Sequence, residues 1–342
     1  MAFIKSTEFR YRIQRLIDSL SIFFRYGSIK KIVNMVNCYR EYLLTKEKLK
    51  SYPFEANIDP TNICNLHCPF CRTGEGLFGR EKGYMALPIF KKILDDIGGY
   101  FYLISLFSHG EPFLCKDLNA MISYASAKKI GSIVHTNLNI GMDEEYAANI
   151  IKSGLTFLSV SIDGATQDVY RQYRRAGSLD LVLRNIDMFN EQKKLLKAKT
   201  PVLIWQYLLF KHNQHEARAA ALLAKEKKMR FRVVLPNSPE ENRADIWAQR
   251  KKHREGRKCK FLWTTLGVEF DGSVVSCCQA YHKRDDFGTI YSQGFHSLWN
   301  NENFVRARGF FNHAGMFDEK DRELLCNHCP EAYFWKDARE EA

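Results

Sequence analysis

The sequence predicts an α/β protein in which parallel strands are joined by crossover helices. From residue 53 to about residue 235, short apolar runs alternate with segments of helical periodicity, a pattern typical of parallel sheets. A second observation, the pair Asp271-Gly272 between two apolar runs, predicts a β-hairpin near the C-terminus. The predicted strands are Glu55–Asp59, Leu103–Ser108, Ser132–Thr136, Phe157–Ile162, Pro201–Leu209 and Arg230–Val234. The predicted helices between them are Leu87–Gly98, Asp117–Lys129, Asp143–Ser153, Leu179–Lys197 and Gln214–Lys227.

The first 50 residues predict two basic amphipathic helices that are separated at Gly27. Apolar residues recur at helical spacing on both sides of this glycine, and eleven Lys or Arg stand against four Asp or Glu. We expect the helices to pack on the following domain with their basic faces in water. The alternative is an anchor at an anionic membrane surface or on a partner helix. Because no DNA- or RNA-binding motif accompanies the charge, nucleic acid is not expected as a partner.

The composition indicates an intracellular enzyme with a large core. The chain has 342 residues, of which 45% are hydrophobic, and a formal net charge of +12. Its first residues lack the apolar core of a signal peptide, and residues 97–107, its longest apolar run, are shorter than the roughly 20 residues that span a bilayer. We therefore expect reduced cysteines in the cytoplasm, with peripheral membrane association if the first helices bind lipid. We predict three parts, residues 1–50, 51–240 and 241–342.

Three cysteines within eight residues, Cys64, Cys68 and Cys71 in CNLHCPFC, follow the first predicted strand. Three thiolates on one loop can hold three corners of a cubane iron–sulfur cluster and leave the fourth iron open to chemistry. A zinc knuckle or a group of structural cysteines is the alternative, but zinc sites usually show paired cysteines two residues apart.

This spacing, with Phe70 before the last cysteine, resembles the radical S-adenosylmethionine (SAM) superfamily. The resemblance implies a partial (β/α)6 barrel, open at one side, with a SAM-binding [4Fe-4S] cluster on this loop. It also implies that SAM is cleaved reductively to a 5′-deoxyadenosyl radical, which takes hydrogen from a substrate carbon. Phe70 would then pack near the adenine, and a reducing flavodoxin or ferredoxin-type protein would deliver the electron.

Residues at the ends of later strands fit the same resemblance. The segment Gly110-Glu111-Pro112 is similar to the superfamily's GGEP segment, which binds the methionyl ammonium, with His109 in place of the usual first glycine. Asn137 matches a residue that faces the methionyl carboxylate. Further polar residues resemble those that contact ribose or substrate, namely Ser159, Ser161, Asp163 and Arg174. Taken singly, Asp163-Gly164 also reads as a turn and Asn137 as a helix cap.

A second cysteine set occupies the last hundred residues. Its members are Cys259, Cys277, Cys326 and Cys329, with Gly272 between the first two. The arrangement resembles the single-cluster SPASM domain, often called twitch, which implies a fully ligated auxiliary [4Fe-4S] cluster. On spacing alone, zinc would also satisfy four cysteines. Strand alternation would point Cys278 away from Cys277, so Cys278 is interpreted as a buried thiol or a site group.

The predicted function is hydrogen abstraction from a small polar substrate, either a sugar, an aminosugar or a cyclitol. Oxidation of a carbinol to a ketone is favoured, because a fully ligated second cluster can accept an electron. Epimerisation instead needs a hydrogen donor, for which the candidates are Cys115, Cys278 and Tyr207. A peptide maturase is the alternative enzyme, and a basic zinc protein that binds nucleic acid or membrane is the alternative outside enzymes.

Overall fold

The computed structural model describes residues 2–236, 259–291, 294–311 and 324–328. The strands are β1 (Glu55–Ile58), β2 (Leu103–Leu106), β3 (Gly131–Thr136), β4 (Phe157–Ser161), β5 (Val202–Leu208), β6 (Arg230–Val234), β7 (Thr265–Val268), β8 (Ser273–Val275) and β9 (Asp286–Thr289). They form one sheet in the order β6-β5-β4-β3-β2-β1-β7-β8-β9. Because β6 and β9 are its two edges, the sheet is not closed into a full barrel.

Helices cover this sheet and supply the other half of its core. They are α1 (Ala2–Tyr26), α2 (Ile29–Leu43), α3 (Leu87–Asp96), α4 (Leu118–Ala127), α5 (Glu144–Lys152), α6 (Gln167–Tyr173), α7 (Leu179–Leu195), α8 (Ala217–Glu226), α9 (Phe261–Thr264), α10 (Phe295–Trp299) and α11 (Glu302–Gly309). Strand residues such as Val134 and Trp205 share one buried cluster with helix residues such as Phe90 and Ile150. None of the helices in the described residues is long and apolar enough to cross a membrane.

The local sequence accounts for where several of these elements begin. The side chains of Asp143 and Ser178 accept the backbone N–H groups of Tyr146 and Leu181, which caps α5 and α7 at their N-termini. Every residue of β4 is buried, as expected for a central strand of a parallel sheet. All six predicted strands are found in order, with ends within two residues of those expected. Helix α6 was not predicted, because seven residues are too few to show a helical period.

The N-terminal helices lie against the N-terminal ends of the parallel strands. The Tyr26 hydroxyl is 3.2 Å from Thr156 Oγ1, directly before β4, and the Phe23 ring stacks on Tyr102, directly before β2. In α2, the Cys38 thiol donates to the carbonyl of Trp263. The end of the sheet opposite the cysteine loop is therefore covered by α1 and α2.

The face that α1 turns toward the sheet differs from the expected one. We expected its apolar stripe to pack on the domain, yet Phe9, Leu16 and Phe24 of this stripe are exposed. The inward side instead carries Asp18, which pairs with Arg230 at 2.6 Å. Polar and aromatic contacts at the sheet thus fix the orientation of the helix, and its apolar stripe faces outward.

The C-terminal hairpin extends the same sheet. Strand β7 pairs with β1 in parallel, and β8 pairs with β7 in antiparallel, so the predicted hairpin is confirmed. Gly272 takes a φ of +84° in the turn, a conformation that favours glycine. Because β7 lies directly beside β1, the hairpin places residues 269–282 next to the loop that follows β1.

Candidate functional site

The loop after β1 gathers its three cysteines at the C-terminal edge of the sheet. Cys68 is buried, while Cys64 and Cys71 are half-buried. A Cβ atom at Gly74 would lie 2.6 Å from the Cys68 carbonyl oxygen, so a glycine allows this loop to close. The apolar side chains packed around the thiols are Leu66, Tyr173, Leu208 and Phe210.

Phe70 stands between the second and third cysteines in a strained conformation. Its φ is +64°, in the left-handed region that bulky non-glycine residues seldom adopt. Its backbone N–H donates to Glu75 Oε1 over 3.0 Å, and its ring is 40% exposed. The ring lies at the surface of the loop, where packing on an adenine stays a prediction.

Asn137, directly after β3, joins the cysteine loop to the strand ends. Its Nδ2 lies 3.6 Å from Cys64 Sγ and donates to Asn65 Oδ1 over 3.0 Å. Its Oδ1 accepts the backbone N–H of Asn139 at 2.7 Å. These contacts place Asn137 beside the first cysteine, and its predicted contact with the methionyl carboxylate stays a prediction.

Glu111 is held at the ends of β2 and β3 by hydrogen bonds within the protein, and its predicted contact with the methionyl ammonium stays a prediction. It is 1% exposed, and its Oε1 accepts from Thr136 Oγ1 at 2.6 Å and from the N–H of Phe113 at 3.1 Å. Its Oε2 accepts the N–H of Asn137 at 2.7 Å. Burial raises the pKa of Glu111 to about 7, against the effect of these three hydrogen bonds. The carboxyl group therefore ties the turn after β2 to the end of β3.

Gly110 brings that turn against the cysteine loop. A Cβ atom there would lie 2.0 Å from the Thr61 carbonyl oxygen, and the neighbouring N–H of Glu111 donates to the carbonyl of Ile63 at 2.8 Å. Pro112 then starts a buried turn of 3-10 helix, Pro112–Leu114. The backbone of the Gly-Glu-Pro segment thus packs directly against residues 61–63, which lead into the cysteine loop.

Arg174 links the end of β4 to the second cysteine. Its Nε donates to Asp163 Oδ2 at 2.6 Å, and its Nη1 lies 3.8 Å from Cys68 Sγ. The other Asp163 oxygen accepts the N–H of Leu208 at 2.6 Å. Both oxygens of the fully buried Asp163 are therefore used within the protein, and the guanidinium brings positive charge to the cysteine loop.

The strands also present a polar face next to these residues. Ser159 pairs in register with His135, and Ser161 with Gln206, so these side chains share one face of the parallel sheet. The buried Ser159 Oγ has no hydrogen-bond partner among the described residues. His135 packs on Phe107 at a ring distance of 4.0 Å, and burial lowers its pKa to about 3. The imidazole is therefore neutral at physiological pH.

A buried acid–base cluster lies where β1, β2 and β7 end together. His109 Nε2 is 3.3 Å from Glu269 Oε1, and Asp59 Oδ1 accepts the backbone N–H of His109 at 3.5 Å. Within the described part of the chain, Asp59 Oδ2 and Glu269 Oε2 have no hydrogen-bond partner. Burial, with the charge of Glu269 in addition, raises the pKa of Asp59 well above its usual range. Two neighbouring carboxyl groups out of water favour keeping a proton.

The second cysteine set is partly described. Cys326 is buried, Cys259 and Cys277 are half-buried, and Cys329 lies outside the described residues. Cys278 is exposed, so the expectation of a buried thiol is wrong, while its alternative role as a site group stays a prediction. The reason is that β8 ends before both cysteines, at Val275, so strand alternation does not set their directions.

Tyr281 lies close to both cysteine sets. Its ring is 5.4 Å from that of His109, and the Arg72 guanidinium lies 5.2 Å from its centroid. Burial raises the pKa of Tyr281 to about 12, and negative charge on Cys278, Cys71 or Cys277 would raise it further. The C-terminal hairpin thus faces the loop of the first set.

Two predicted hydrogen donors lie in structural positions. The Tyr207 hydroxyl donates to the carbonyl of Asn213 at 2.7 Å, and its neighbour Gln206 occupies the polar face of the strand instead. Cys115 is 2% exposed within the main core, and burial raises the pKa of its thiol. Because adjacent strand residues point to opposite faces, only one of Gln206 and Tyr207 can face the site.

The donor set at the first loop fits an iron–sulfur cluster. Burial raises the pKa of the Cys64 thiol to about 11, so iron would have to displace its proton, as metals do at thiolate sites. Arg174 and the amide of Asn137 then offset the negative charge of bound thiolates. No group of three or more His, Cys, Asp or Glu in the described residues converges on one metal ion. A cubane cluster does not require such convergence, since each of its cysteines binds a different iron.

Sequence reasoning missed Asp59 and Glu269. Each is an acidic residue that directly follows an apolar strand, which is a signal the sequence does contain. It also missed Tyr281, whose place depends on the pairing of β7 with β1. That pairing joins segments about two hundred residues apart and leaves no local pattern.

Comparison with protein families matches both cysteine regions. Residues 58–203 match the Radical SAM superfamily, and residues 259–330 match SPASM, an iron-sulfur cluster-binding domain. The first match contains the cysteine loop together with Glu111, Asn137, Asp163 and Arg174. The second contains all four cysteines of the second set.

Individual relatives are similar over part of their length. Fe-coproporphyrin III synthase of Methanosarcina barkeri is 31% identical over 39% of this chain and 33% of its own length. Mycofactocin maturase MftC of Mycolicibacterium smegmatis is 25% identical over 59% of this chain and 49% of its own. The chain thus spans between a third and a half of these relatives.

A solved structure shares the fold. Streptococcus suis SuiB bound to S-adenosylmethionine matches with a TM-score of 0.62 at 15% identity, over 86% of this chain and 74% of that one. By the two family matches, the chain contains a radical SAM domain and, C-terminal to it, a SPASM domain, and these two domains imply [4Fe-4S] clusters and SAM as its cofactors.

Proposed function

We propose that this protein is a maturase that removes a hydrogen atom from a carbon of a peptide substrate and oxidises that position. The observation that carries the proposal is the similarity to mycofactocin maturase MftC, which extends over 59% of the chain. SuiB, which has the same fold, was also solved with its precursor peptide SuiA. This reverses the order of the two enzyme hypotheses that the sequence favoured.

The residues of the chain hold and orient the cofactors in this proposal. When bound, a reduced cluster and SAM supply the carbon-centred radical that takes the substrate hydrogen. Cys64, Cys68 and Cys71 would hold that cluster, and Asn137 and Arg174 would set the charge around it. Glu111 fixes the backbone on which the methionyl end of SAM would lie.

Oxidation accounts better for the described residues than epimerisation. Loss of a hydrogen atom must be followed by loss of one electron, and of one proton where a hydroxyl or amide is oxidised. Cys259, Cys277, Cys326 and Cys329 would hold the group that takes up the electron. We propose the cluster of Asp59, His109 and Glu269 as the proton acceptor. Epimerisation would need a hydrogen donor, and the described positions of Cys115 and Tyr207 leave only the exposed Cys278 of the three candidates.

A sugar, aminosugar or cyclitol is the second candidate substrate. It is favoured by the polar face of Ser159, Ser161 and Gln206, and by the unpartnered Ser159 hydroxyl in the described structure. Hydroxyl groups of a polyol could pair with these side chains, as buried polar groups require.

The flavodoxin or ferredoxin-type electron donor and a cytoplasmic location are also proposals.

The test is a deuterium-transfer screen with the reconstituted enzyme. Peptides and polyols that are deuterated at carbon are offered separately, and 5′-deoxyadenosine is analysed by mass spectrometry. Label from a peptide, with a product three mass units lighter than the deuterated peptide because one deuterium and one hydrogen are lost, supports the proposal. Label from polyols alone would establish the second candidate.

The cofactor assignment has its own control. Cys64→Ala, Cys68→Ala and Cys71→Ala should each lower the iron content from about eight to about four atoms per chain and abolish 5′-deoxyadenosine formation. Cys115→Ala, which changes a core thiol outside both sets, should retain about eight. Normal 5′-deoxyadenosine formation by any of the three loop variants would contradict the assignment.

A further inference from the structure

The N-terminal helices expose an unusual amount of apolar surface. Of the twenty large apolar side chains exposed in the described residues, thirteen lie within the first 44. They are Phe3, Phe9, Ile13, Leu16, Ile17, Leu20, Phe24, Ile29, Val33, Val36, Tyr39, Leu43 and Leu44. A contiguous apolar face of this kind marks an interaction surface, whereas single exposed apolar residues need no explanation.

The contacts of α1 keep its apolar stripe directed outward. Asp18 pairs with Arg230 at 2.6 Å, and the Tyr26 hydroxyl contacts Thr156 Oγ1 at 3.2 Å, both from the side that faces the sheet. Leu16 and Leu20 lie on the opposite side of the helix and are 63% and 49% exposed. Rotating the stripe inward would break these contacts.

Helix α2 is arranged in the same way. Its inward side is polar and engaged, since Lys31 Nζ donates to the carbonyls of Tyr26 and Lys129 at 3.0 Å, and Asn34 bonds to the backbone of Tyr52. Its outward side carries the exposed apolar residues Ile29, Val33, Val36 and Leu43. Phe23, Met35 and Cys38 also pack inward, but in both helices the longer apolar stripe is directed toward the surroundings.

The exposed charge beside these stripes is positive. The exposed basic residues of the two helices are Arg10, Arg12, Arg15, Arg25, Lys30 and Arg40. The acidic side chains of these helices that the structure describes form contacts within the protein. Asp18 pairs with Arg230. The buried Glu41 accepts hydrogen bonds from the backbone N–H and the hydroxyl of Ser51. An apolar stripe flanked by arginines is the surface of a helix that lies at a lipid interface.

We propose that α1 and α2 bind an anionic lipid surface, with the apolar stripes in the boundary between headgroups and acyl chains and the arginines on lipid phosphates. A second copy of the same face would bring the arginines of two chains together, so charge disfavours it as the occupant. The helices contact residues that precede β2, β4 and β7 or lie in β6, whereas the cysteine loop follows β1 at the other end of the sheet. Lipid binding would therefore leave the site open to substrate.

The test is co-sedimentation of the full chain with vesicles of phosphatidylcholine, with and without phosphatidylglycerol. Wild type should bind the anionic vesicles, and Leu16→Asp/Leu20→Asp should lower the partition coefficient by about tenfold or more. The matched control is Leu195→Asp/Leu196→Asp, which changes two exposed leucines at the end of α7 and should bind as wild type does. Equal binding by wild type and the α1 variant, or no wild-type binding, would overturn the proposal.

Charge and self-association are tested separately. Arg12→Glu/Arg25→Glu should also reduce binding by about tenfold, and added salt should weaken wild-type binding. Lys116→Glu/Arg171→Glu changes the net charge equally at exposed positions that follow β2 and β4, and should have little effect. Concentration-dependent dimerisation in sedimentation velocity that Leu16→Asp/Leu20→Asp abolishes would show instead that a second copy covers this face.

Discussion

Arg174 is the residue that couples the buried end of β4 to the first cysteine loop. Its guanidinium contacts both the Asp163 carboxylate and the Cys68 sulfur. Because a positive charge beside a cluster favours its reduced form, we expect Arg174→Gln to lower the reduction potential of the first cluster in a redox titration followed by EPR. Arg175→Gln changes the exposed neighbouring arginine and should leave the potential as it is.

The same pair should show strong coupling in stability. Either Asp163→Asn or Arg174→Gln removes one partner of a buried ion pair, which should cost about 3–5 kcal/mol in urea denaturation. The double variant should recover part of this loss, since it leaves no uncompensated buried charge. Additive losses in the double-mutant cycle would contradict direct coupling between these two side chains.

Asp59 should make the protein less stable as the pH rises. Its pKa is raised in the folded state above the unfolded value of 3.8, first by burial and then by the charge of Glu269. A group with a raised folded pKa stabilises the fold below its unfolded pKa, and this contribution is lost as pH rises through the folded pKa. Asp59→Asn cannot ionise, so its melting temperature should fall less than that of wild type between about pH 5 and pH 8. An equal fall in melting temperature with pH for the variant and wild type would contradict the raised pKa of Asp59.

At the scale of elements, residues 72–86 connect the cysteine loop to the segment between β8 and β9 through the side chain of Arg80. Arg80 donates to the carbonyl of His282 at 3.0 Å and pairs with Asp286, and its side chain is 2% exposed. We expect Arg80→Ala to cost about 3 kcal/mol and to speed hydrogen exchange in residues 276–286. Arg284→Ala, which changes an exposed arginine in the connection between β8 and β9, should change neither the stability nor the exchange. Unchanged exchange in the Arg80 variant would show that the hairpin does not depend on this contact.

The elements that the sequence predicted well are those whose pattern is local. Alternating apolar runs located β1 to β6, and the Asp271-Gly272 pair located the β7–β8 hairpin, because strand burial and turn geometry leave their marks within a few residues. The face of α1 that meets the sheet could not be predicted in this way. A helical apolar stripe indicates that one face avoids water, but only the contacts of Asp18 and Tyr26 decide which face meets the sheet.

For the molecule as a whole, the sequence located the two cysteine sets better than the contacts around them. Cysteine spacing is a short motif, and both sets lie inside the two family matches. The inward use of Glu111 and the burial of Cys115 depend on which residues the tertiary fold places beside them. The contact of His109 with Glu269 likewise requires β7 to lie next to β1, which no local spacing specifies.

The whole molecule should unfold as one unit that includes the N-terminal helices. The sequence predicts that the N-terminal helices pack on the following domain, and in the structure Phe23 stacks on Tyr102, and Cys38 is fully buried beside Trp263. Deleting residues 1–45 would uncover that apolar surface, so we expect the melting temperature to fall by about 10 °C or more. Leu16→Asp/Leu20→Asp changes the outer face alone and should melt close to wild type. Equal melting temperatures for the deleted and full chains, measured by calorimetry, would show that the helices are an independent appendage.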